Sequence, residues 1–407
     1  MSGPLSHIKV LDLSRVLAGP WASQNLADMG ADVIKIERPA KGDDSRAFGP
    51  PWLKDADGKE TSEAAYFCAA NRGKRSLTAD ISKPEAQELI RKLAAKCDVF
   101  VENFKFGDLA RYGLGYEDIK AINPRIVYCS ITGFGQTGPW KERPGYDFMA
   151  QGMSGLMSVT GSPDSDTDPH GVRFGVPIID IITGMYATVA ICAALASRAE
   201  TGKGQHLDIA LLDSALALTS IQGMNWIATG ESPGRIGNAH PNIVPYQVLP
   251  TKDGSVIVAC GNDNLYRKYC AAAGHPELAE DPRFATNAKR VENRAIITPI
   301  LEEIMKTRTT KEWCDILDEA GVANGPINSI AQAFQEPQAQ ARGALFDIAH
   351  RLAGKARLIA SPLRFSDTPV AYRSAPPVLG QHSEEILTGE LGLSAEQIAA
   401  LRNGRII

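Results

Sequence analysis

Hydrophobic and polar positions in the first half of the chain switch between two periods. Short β-rich apolar runs recur at His7–Leu13 (HIKVLDL), Ala31–Glu37 (ADVIKIE), Cys97–Glu102 (CDVFVE) and Arg125–Ile131 (RIVYCSI). Helical stretches lie between them. GPWASQNLADMG has Pro20 near its start and Gly30 at its stop, and Ser82-Lys-Pro-Glu85 reads as a capping box that opens a helix through Lys96. Strands alternating with helices predict a parallel sheet covered on both faces, an α/β Rossmann-like layer.

The pattern changes after about residue 225. PYQVLPTKDGSVIVACG reads as a β-hairpin turning at Lys252-Asp253-Gly254, followed by helical segments near Asn264–Ala273, Arg290–Lys306 and Thr310–Ala320. From about Asn328 the chain reads as loop-rich, then ends in helical SEEILTGELGLSAEQIAALRNG. The expected organisation is a large Rossmann-like domain over 1–200, a linker over 201–225, a small α+β domain over 226–327, and a linker with return to the large domain over 328–407.

Bulk composition narrows the function classes. With 407 residues, 44% apolar and 22% charged, the chain has the composition of a soluble multidomain protein. A net charge of −4 from 43 basic and 47 acidic residues gives no bulk case for nucleic acid or an anionic membrane. The seven cysteines are scattered without a Cys-x-x-Cys pair, which predicts free thiols in a reducing compartment. MSGPLSHIKVLDL carries neither an h-region nor an arginine-rich amphipathic stretch, so the expectation is a cytoplasmic protein without a leader.

Asp180 is the only formal charge between Arg173 and Arg198, in FGVPIIDIITGMYATVAICAALAS. The run is long enough to raise a transmembrane question, but Asp180, two threonines, Gly184 and many alanines favour a buried helix. Pro177 suits a first helical turn, which places Asp180 where free N–H groups and the helix dipole favour negative charge and could stabilise an oxyanion. Gly184, one turn on, would leave room for a substrate. Two readings stay open at this point: a carboxylate that complements the dipole of a core helix, or a catalytic one.

Other chemistries find little support. The first strand–helix junction, SRVLAGPWAS, lacks both GxGxxG and a Walker lysine, and no metal-ligand spacing or G-x-S-x-G elbow is present. Basic residues recur instead at strand or loop ends: Arg38 follows the second strand, Arg72, Lys74 and Arg75 sit in AANRGKRS, and Lys105 and Arg111 come just after CDVFVEN. At the carboxyl ends of strands they would face a ligand crevice and suit one extended phosphorylated ligand; solvated surface charge is the competing reading.

With these segments placed, the chain resembles the family III CoA-transferases, the group that includes formyl-CoA transferase and the carnitine and bile-acid CoA-transferases. The resemblance runs through VLDLSRVLAGPWASQNLADMGADVIKIERP, GDDSRAFGPP, NRGKRS, DVFVENF, SITGFGQTGP, the Asp180 segment, TGKGQHLDIALLDS, PYQVLPTKDG, AGVANGPINS and PPVLGQHSEEIL. It implies an interlocked homodimer of two-domain chains, with coenzyme A and acyl-CoA as substrates and no tightly bound cofactor or metal. By motif, Asp180 matches the catalytic aspartate. Val16, Leu17, Ala18, Arg38, Asn71, Arg72, Gly73, Lys74, Asn103, Phe104, Lys105 and Arg111 match positions that hold CoA, and Tyr146 and Asp147 match a stretch near the thioester. Where formyl-CoA transferases carry a run of glycines, this chain has AHPNIVPYQ, which argues against oxalate as the acid. GNAHPNIVPYQ with CSITGFGQTGP and the Gly145-Tyr146-Asp147 segment most resembles the branch using larger dicarboxylates that includes succinate–hydroxymethylglutarate CoA-transferase. Arg235 and His240 are candidates for reading a distal carboxylate there, with a surface arginine and a structural loop histidine as the competing reading. The α-methylacyl-CoA racemases are similar too and supply the alternative activity, but their proton-transfer histidine falls at Tyr146 here, and a phenol is a poor two-base catalyst at neutral pH.

Overall fold

Six strands form one parallel sheet in the computed structural model, which describes residues 3–163 and 168–407. They are β1 (Lys9–Asp12), β2 (Asp32–Glu37), β3 (Lys74–Thr78), β4 (Val99–Glu102), β5 (Val127–Thr132) and β6 (Gln205–Ala210). Their order is β3-β2-β1-β4-β5-β6, and every neighbouring pair is parallel. The four central strands are the four apolar runs visible in the sequence. The two edges, KRSLT and QHLDIA, are polar enough to escape that reading.

Both faces of the sheet are covered, which is why its central strands are apolar at successive positions. Leu11, Ile34, Leu77 and Phe100 on one face pack with Ile90 and Leu93 of helix Pro84–Ala94 and with Ile386 and Leu387 near the C-terminus. The alternate residues Val10, Val33 and Val99 are fully buried on the other face. That side carries α1 (Ala18–Asp28) and α2 (Ile178–Thr201), which pack on each other.

Among the described residues α2 is the one helix long and apolar enough to cross a membrane. Its stripe of Ile179, Thr183, Ala187, Ile191 and Ala194 is buried. The expected capping box at Ser82 does not form. Pro84 opens that helix, Lys83 caps it without a side-chain bond, and the Ser82 hydroxyl donates to Asp80 at 2.7 Å.

The chain divides into two compact units. The first comprises Met1–Ser154, Gly175–Leu218 and Pro337–Ile407, and the second Gly155–Phe174 and Thr219–Glu336. The second unit has an antiparallel sheet of β7 (Tyr246–Pro250), β8 (Ser255–Ala259) and β9 (Ala323–Pro326), in the order β9-β8-β7. Leu249, Val256, Val258, Tyr266, Ile297, Leu301 and Trp313 form its core. The β7–β8 hairpin turns where the sequence indicates, with Thr251 N–H donating to the Gly254 carbonyl at 2.9 Å. The stretch read as loop-rich contains a further hairpin in the first unit, Leu345–His350 with Gly354–Ile359, whose Ala356 and Leu358 pack on Cys68.

Candidate active site

The strand order reverses direction between β1 and β4: the chain leaves β1 toward β2 on one side and β4 toward β5 on the other. Loops leaving the carboxyl ends of such a pair diverge and open a crevice. A cleft of about 190 Å³ lies there. Its walls are Arg15–Ala18 after β1, Asp44, Asn103–Phe106 after β4, Ile131–Gly133 at the end of β5, the loop residues Lys141 and Arg143–Tyr146, Leu211, and Asp180. The sequence candidates Val16, Leu17, Ala18, Asn103, Phe104, Lys105, Tyr146 and Asp180 thus meet at one place.

Asp180 stands in the first turn of α2 and is half-buried. Loss of solvent pushes its carboxyl up to about 7, and the charge of Asp147 adds to the rise. Asp147, at the start of helix Asp147–Met153, takes the helix-capping role itself. Its Oδ1 accepts from the N–H of Ile179 at 2.7 Å and of Asp180 at 3.3 Å, and its Oδ2 accepts from Gln151 Nε2 at 2.6 Å. The free N–H groups expected beside Asp180 are therefore occupied, which corrects the oxyanion reading of this helix end. Gly184 is corrected as well: a Cβ there would lie 2.6 Å from the Ala18 carbonyl and 3.1 Å from Trp21 Cβ, so the glycine admits α1, not a substrate.

The turn after β1 carries strain. Val16 has φ +69°, a left-handed conformation that costs a β-branched residue about 1–3 kcal/mol. Beyond it, α1 begins at Ala18 with no side-chain cap, leaving a helix N-terminus at the cleft suited to an anionic group.

Other candidates lie elsewhere. Asn71 and Lys74 are fully buried and Arg72 nearly so. Lys74 Nζ meets Asp12 Oδ2 at 3.1 Å and Asn71 Oδ1 at 2.8 Å, and Arg72 forms a two-pronged pair with Asp28 at 2.8 and 2.6 Å. Lys74 opens β3, so Asn71–Lys74 sits at the amino end of that strand and outside the cleft lining, and Gly73 supplies a φ of +75° just before it. Arg38 is exposed beside a small adjoining slot shared with Arg15 and Phe104, and pairs with Asp44. Arg111 is exposed on Asp108 at 2.6 Å, off the cleft lining. In the second unit, Arg235 donates to the carbonyls of Ser162, Pro169 and Pro163, at 2.9, 3.2 and 3.4 Å, and so is fully engaged with backbone. His240 accepts from the Asn242 N–H at 3.1 Å and lies against Tyr246; burial and Arg294 lower its pKa, so it is neutral at pH 7.

Sequence reasoning missed three cations of the cleft. Arg15 pairs with Asp44 at 3.0 Å and lies over the Phe104 ring. Lys141 lies 4.4 Å from the centre of the Phe106 ring, and Arg143 lies over Phe134 and Trp140. Among the described residues neither Lys141 nor Arg143 has a carboxylate partner. Both stand in the glycine-rich loop GFGQTGPWKERPGYD, whose charges the sequence displays but whose fold carries no period to place them. Tyr66 was also missed: burial and the carboxylates of Asp180, Asp147 and Asp43 push its phenol up to about 12, so it stays protonated near Asp180.

Comparison with known proteins gives a consistent result. Residues 5–383 match the family model described as CoA-transferase family III. The succinate–glutarate CoA-transferase of Agrobacterium fabrum is 47% identical over 384 residues, covering 94% of this chain and 95% of that protein. The human succinyl-CoA:glutarate CoA-transferase is 41% identical over 404 residues, covering 99% and 90%. A crystal structure of a CaiB/BaiF family protein from Brucella suis superposes with a TM-score of 0.83 at 49% identity, covering 96% of this chain and 100% of that one.

Proposed function

The chain belongs to CoA-transferase family III, and from that premise we propose that it moves CoA from succinyl-CoA to a small dicarboxylic acid such as glutarate, with Asp180 as the covalent carrier. The observation that carries this reading is the Asp180 carboxyl on the wall of a cleft at the sheet's switch point, facing ligand space lined with arginine and lysine. The names of the two similar transferases supply the substrate pair.

The chemistry follows from a carboxylate held away from bulk water. Asp180 attacks the thioester carbonyl, the C–S bond breaks, and a mixed anhydride and CoA thiolate result. The thiolate then attacks the aspartyl carbonyl, releasing succinate and leaving a β-aspartyl thioester. An acceptor carboxylate attacks that thioester to form a second anhydride and free the thiolate again. Attack of the thiolate on the acceptor carbonyl yields the new acyl-CoA and restores Asp180. Each intermediate stays activated, so no nucleotide is consumed, and each would be lost to water in an open site. The raised pKa of Asp180 reflects the same burial that limits solvent.

Partial exposure of apolar residues supports an obligate, interlocked homodimer. On α2, Tyr186 and Val189 are 47% and 62% exposed. In the second unit, helix Ser220–Thr229 exposes Met224, Trp226 and Ile227 at 59%, 54% and 64%. A second copy of the chain would cover them. Seven free cysteines fit a reducing, cytoplasmic compartment.

The deciding experiment incubates the enzyme with succinyl-CoA and carbon-13 glutarate. Labelled glutaryl-CoA and free succinate are expected. With the acceptor omitted, hydroxylamine should convert Asp180, and no other carboxylate, to a hydroxamate. Loss of an α-deuterium from acyl-CoA without transfer would instead mark a racemase.

A further inference from the structure

Three successive residues of the turn after β1 are each held by a side chain from another part of the first unit. The Ser14 carbonyl accepts from Lys35 Nζ at 2.8 Å. Arg15 is gripped on both sides by one amide: its N–H donates to Asn103 Oδ1 at 2.8 Å, and its carbonyl accepts from Asn103 Nδ2 at 2.7 Å. The Val16 N–H donates to Asp43 Oδ1 at 3.0 Å, and Asp43 is itself fixed by a fully buried ion pair to Lys35 at 2.9 Å. The segment so held contains Val16 in its left-handed conformation, and Leu17 and Ala18 follow it directly into the cleft. Such a backbone state persists only where its surroundings over-determine it.

Resting on the CoA-transferase reading, we propose that Asn103 and Asp43 are positioning residues: they hold Val16 left-handed and so present the start of α1 to the acyl-CoA. Asn103 lies on the cleft wall, but the bonds its amide makes go to Arg15. Its effect on the ligand is transmitted through the Arg15–Val16 backbone. Asp43 lies outside the lining of the main cleft and acts through the Val16 N–H.

A double-mutant cycle separates this from direct contact. Glycine adopts a φ near +70° without the steric cost that valine carries there, so in a Val16→Gly background much less should depend on the clamp. Asn103→Ala is expected to weaken free-CoA binding, measured by calorimetry, about tenfold in the Val16 protein and less than threefold in the Val16→Gly protein. The Michaelis constant for succinyl-CoA should follow the same pattern. Equal losses in both backgrounds would mean that Asn103 touches the ligand and would overturn the proposal; no loss in either would overturn it too. If Asn103→Ala does not fold, Asn103→Ser, whose hydroxyl is too short to reach both Arg15 groups, is read on the same cycle. CoA affinity reads the clamp independently of turnover, so a wild type that binds CoA but transfers none to any dicarboxylate sinks only the functional reading. A wild type that does not bind CoA sinks both.

Discussion

Asp147 caps the helix that carries Asp180, accepting the N–H of Asp180 itself at 3.3 Å and that of Ile179 at 2.7 Å. One carboxylate takes the electrostatic benefit of the helix end and leaves the other without it. Asp147 also adds its charge to the burial that raises the Asp180 pKa.

Replacing Asp147 with Asn keeps an oxygen for the Ile179 N–H and removes the charge. The burial contribution stays, so the Asp180 pKa should fall from about 7 without returning to its ordinary value. Transfer requires ionised Asp180, so the rising limb of kcat/KM against pH should move to lower pH. Glu102, pushed up to about 7 chiefly by burial, titrates in the same window. Its bonds to Ser130 and to the Phe104 N–H do not involve Asp147, so it should not move with the variant. An unshifted limb would show that Asp180 does not control the profile.

Stability should carry the same signature with a definite sign. The folded carboxyl of Asp180 titrates near 7, above its ordinary 3.8, so its contribution is fully present below about 3.8 and is lost as pH rises through 7. Asp180→Asn has no charge to bury. The variant should match the wild type near pH 4 and melt a few degrees higher at pH 8, a gain on the order of 1–2 kcal/mol after allowance for partial exposure. A dipole-complementing structural aspartate predicts the opposite: a variant less stable at pH 8.

Much of this was legible because it was local. The central strands show as apolar runs, and Asp180 shows as a lone charge in one of the least polar stretches. The edge strand Lys74–Thr78 (KRSLT) has two adjacent charges and a single apolar residue, so it gives no strand signal, and the basic residues of AANRGKRS read as lying at a strand or loop end when they lead into a strand. That single miss put Arg72 and Lys74 at a crevice, whereas burial pairs them with Asp28 and Asp12. The partnership of Asp147 with Asp180 spans 33 residues, and the meeting of Gly184 with Ala18 joins two helices; neither leaves a periodic trace.

Gly184→Ala tests how tightly α1 fixes the site. The added methyl would meet the Ala18 carbonyl at 2.6 Å, and backbone cannot swing aside as a flexible side chain can. Overpacking of this kind costs about 1–3 kcal/mol, so the melting temperature should drop by several degrees. Because Ala18 lines the cleft, CoA affinity should fall as well. A variant with normal stability and normal affinity would show that the two helices separate freely.

The last prediction concerns the acceptor. Arg235 is engaged with three carbonyls and His240 is neutral at pH 7, whereas Arg143 shares a cleft with Asp180 and has no carboxylate partner among the described residues. A dicarboxylate whose near end attacks the aspartyl thioester carries a second charge that must be held, and a guanidinium supplies paired donors for it. Arg143→Gln should raise the Michaelis constant for glutarate about tenfold, the size expected for losing one charge-assisted hydrogen bond. Pentanoate, which has no distal carboxylate, should be used as poorly as before, so the preference between the two acids should shrink by the same factor. Free-CoA affinity should hold. A weaker hold on CoA with an unchanged glutarate constant would assign Arg143 to the nucleotide, and Lys141, on the same loop and likewise without a carboxylate partner among the described residues, would then be the next cation to replace.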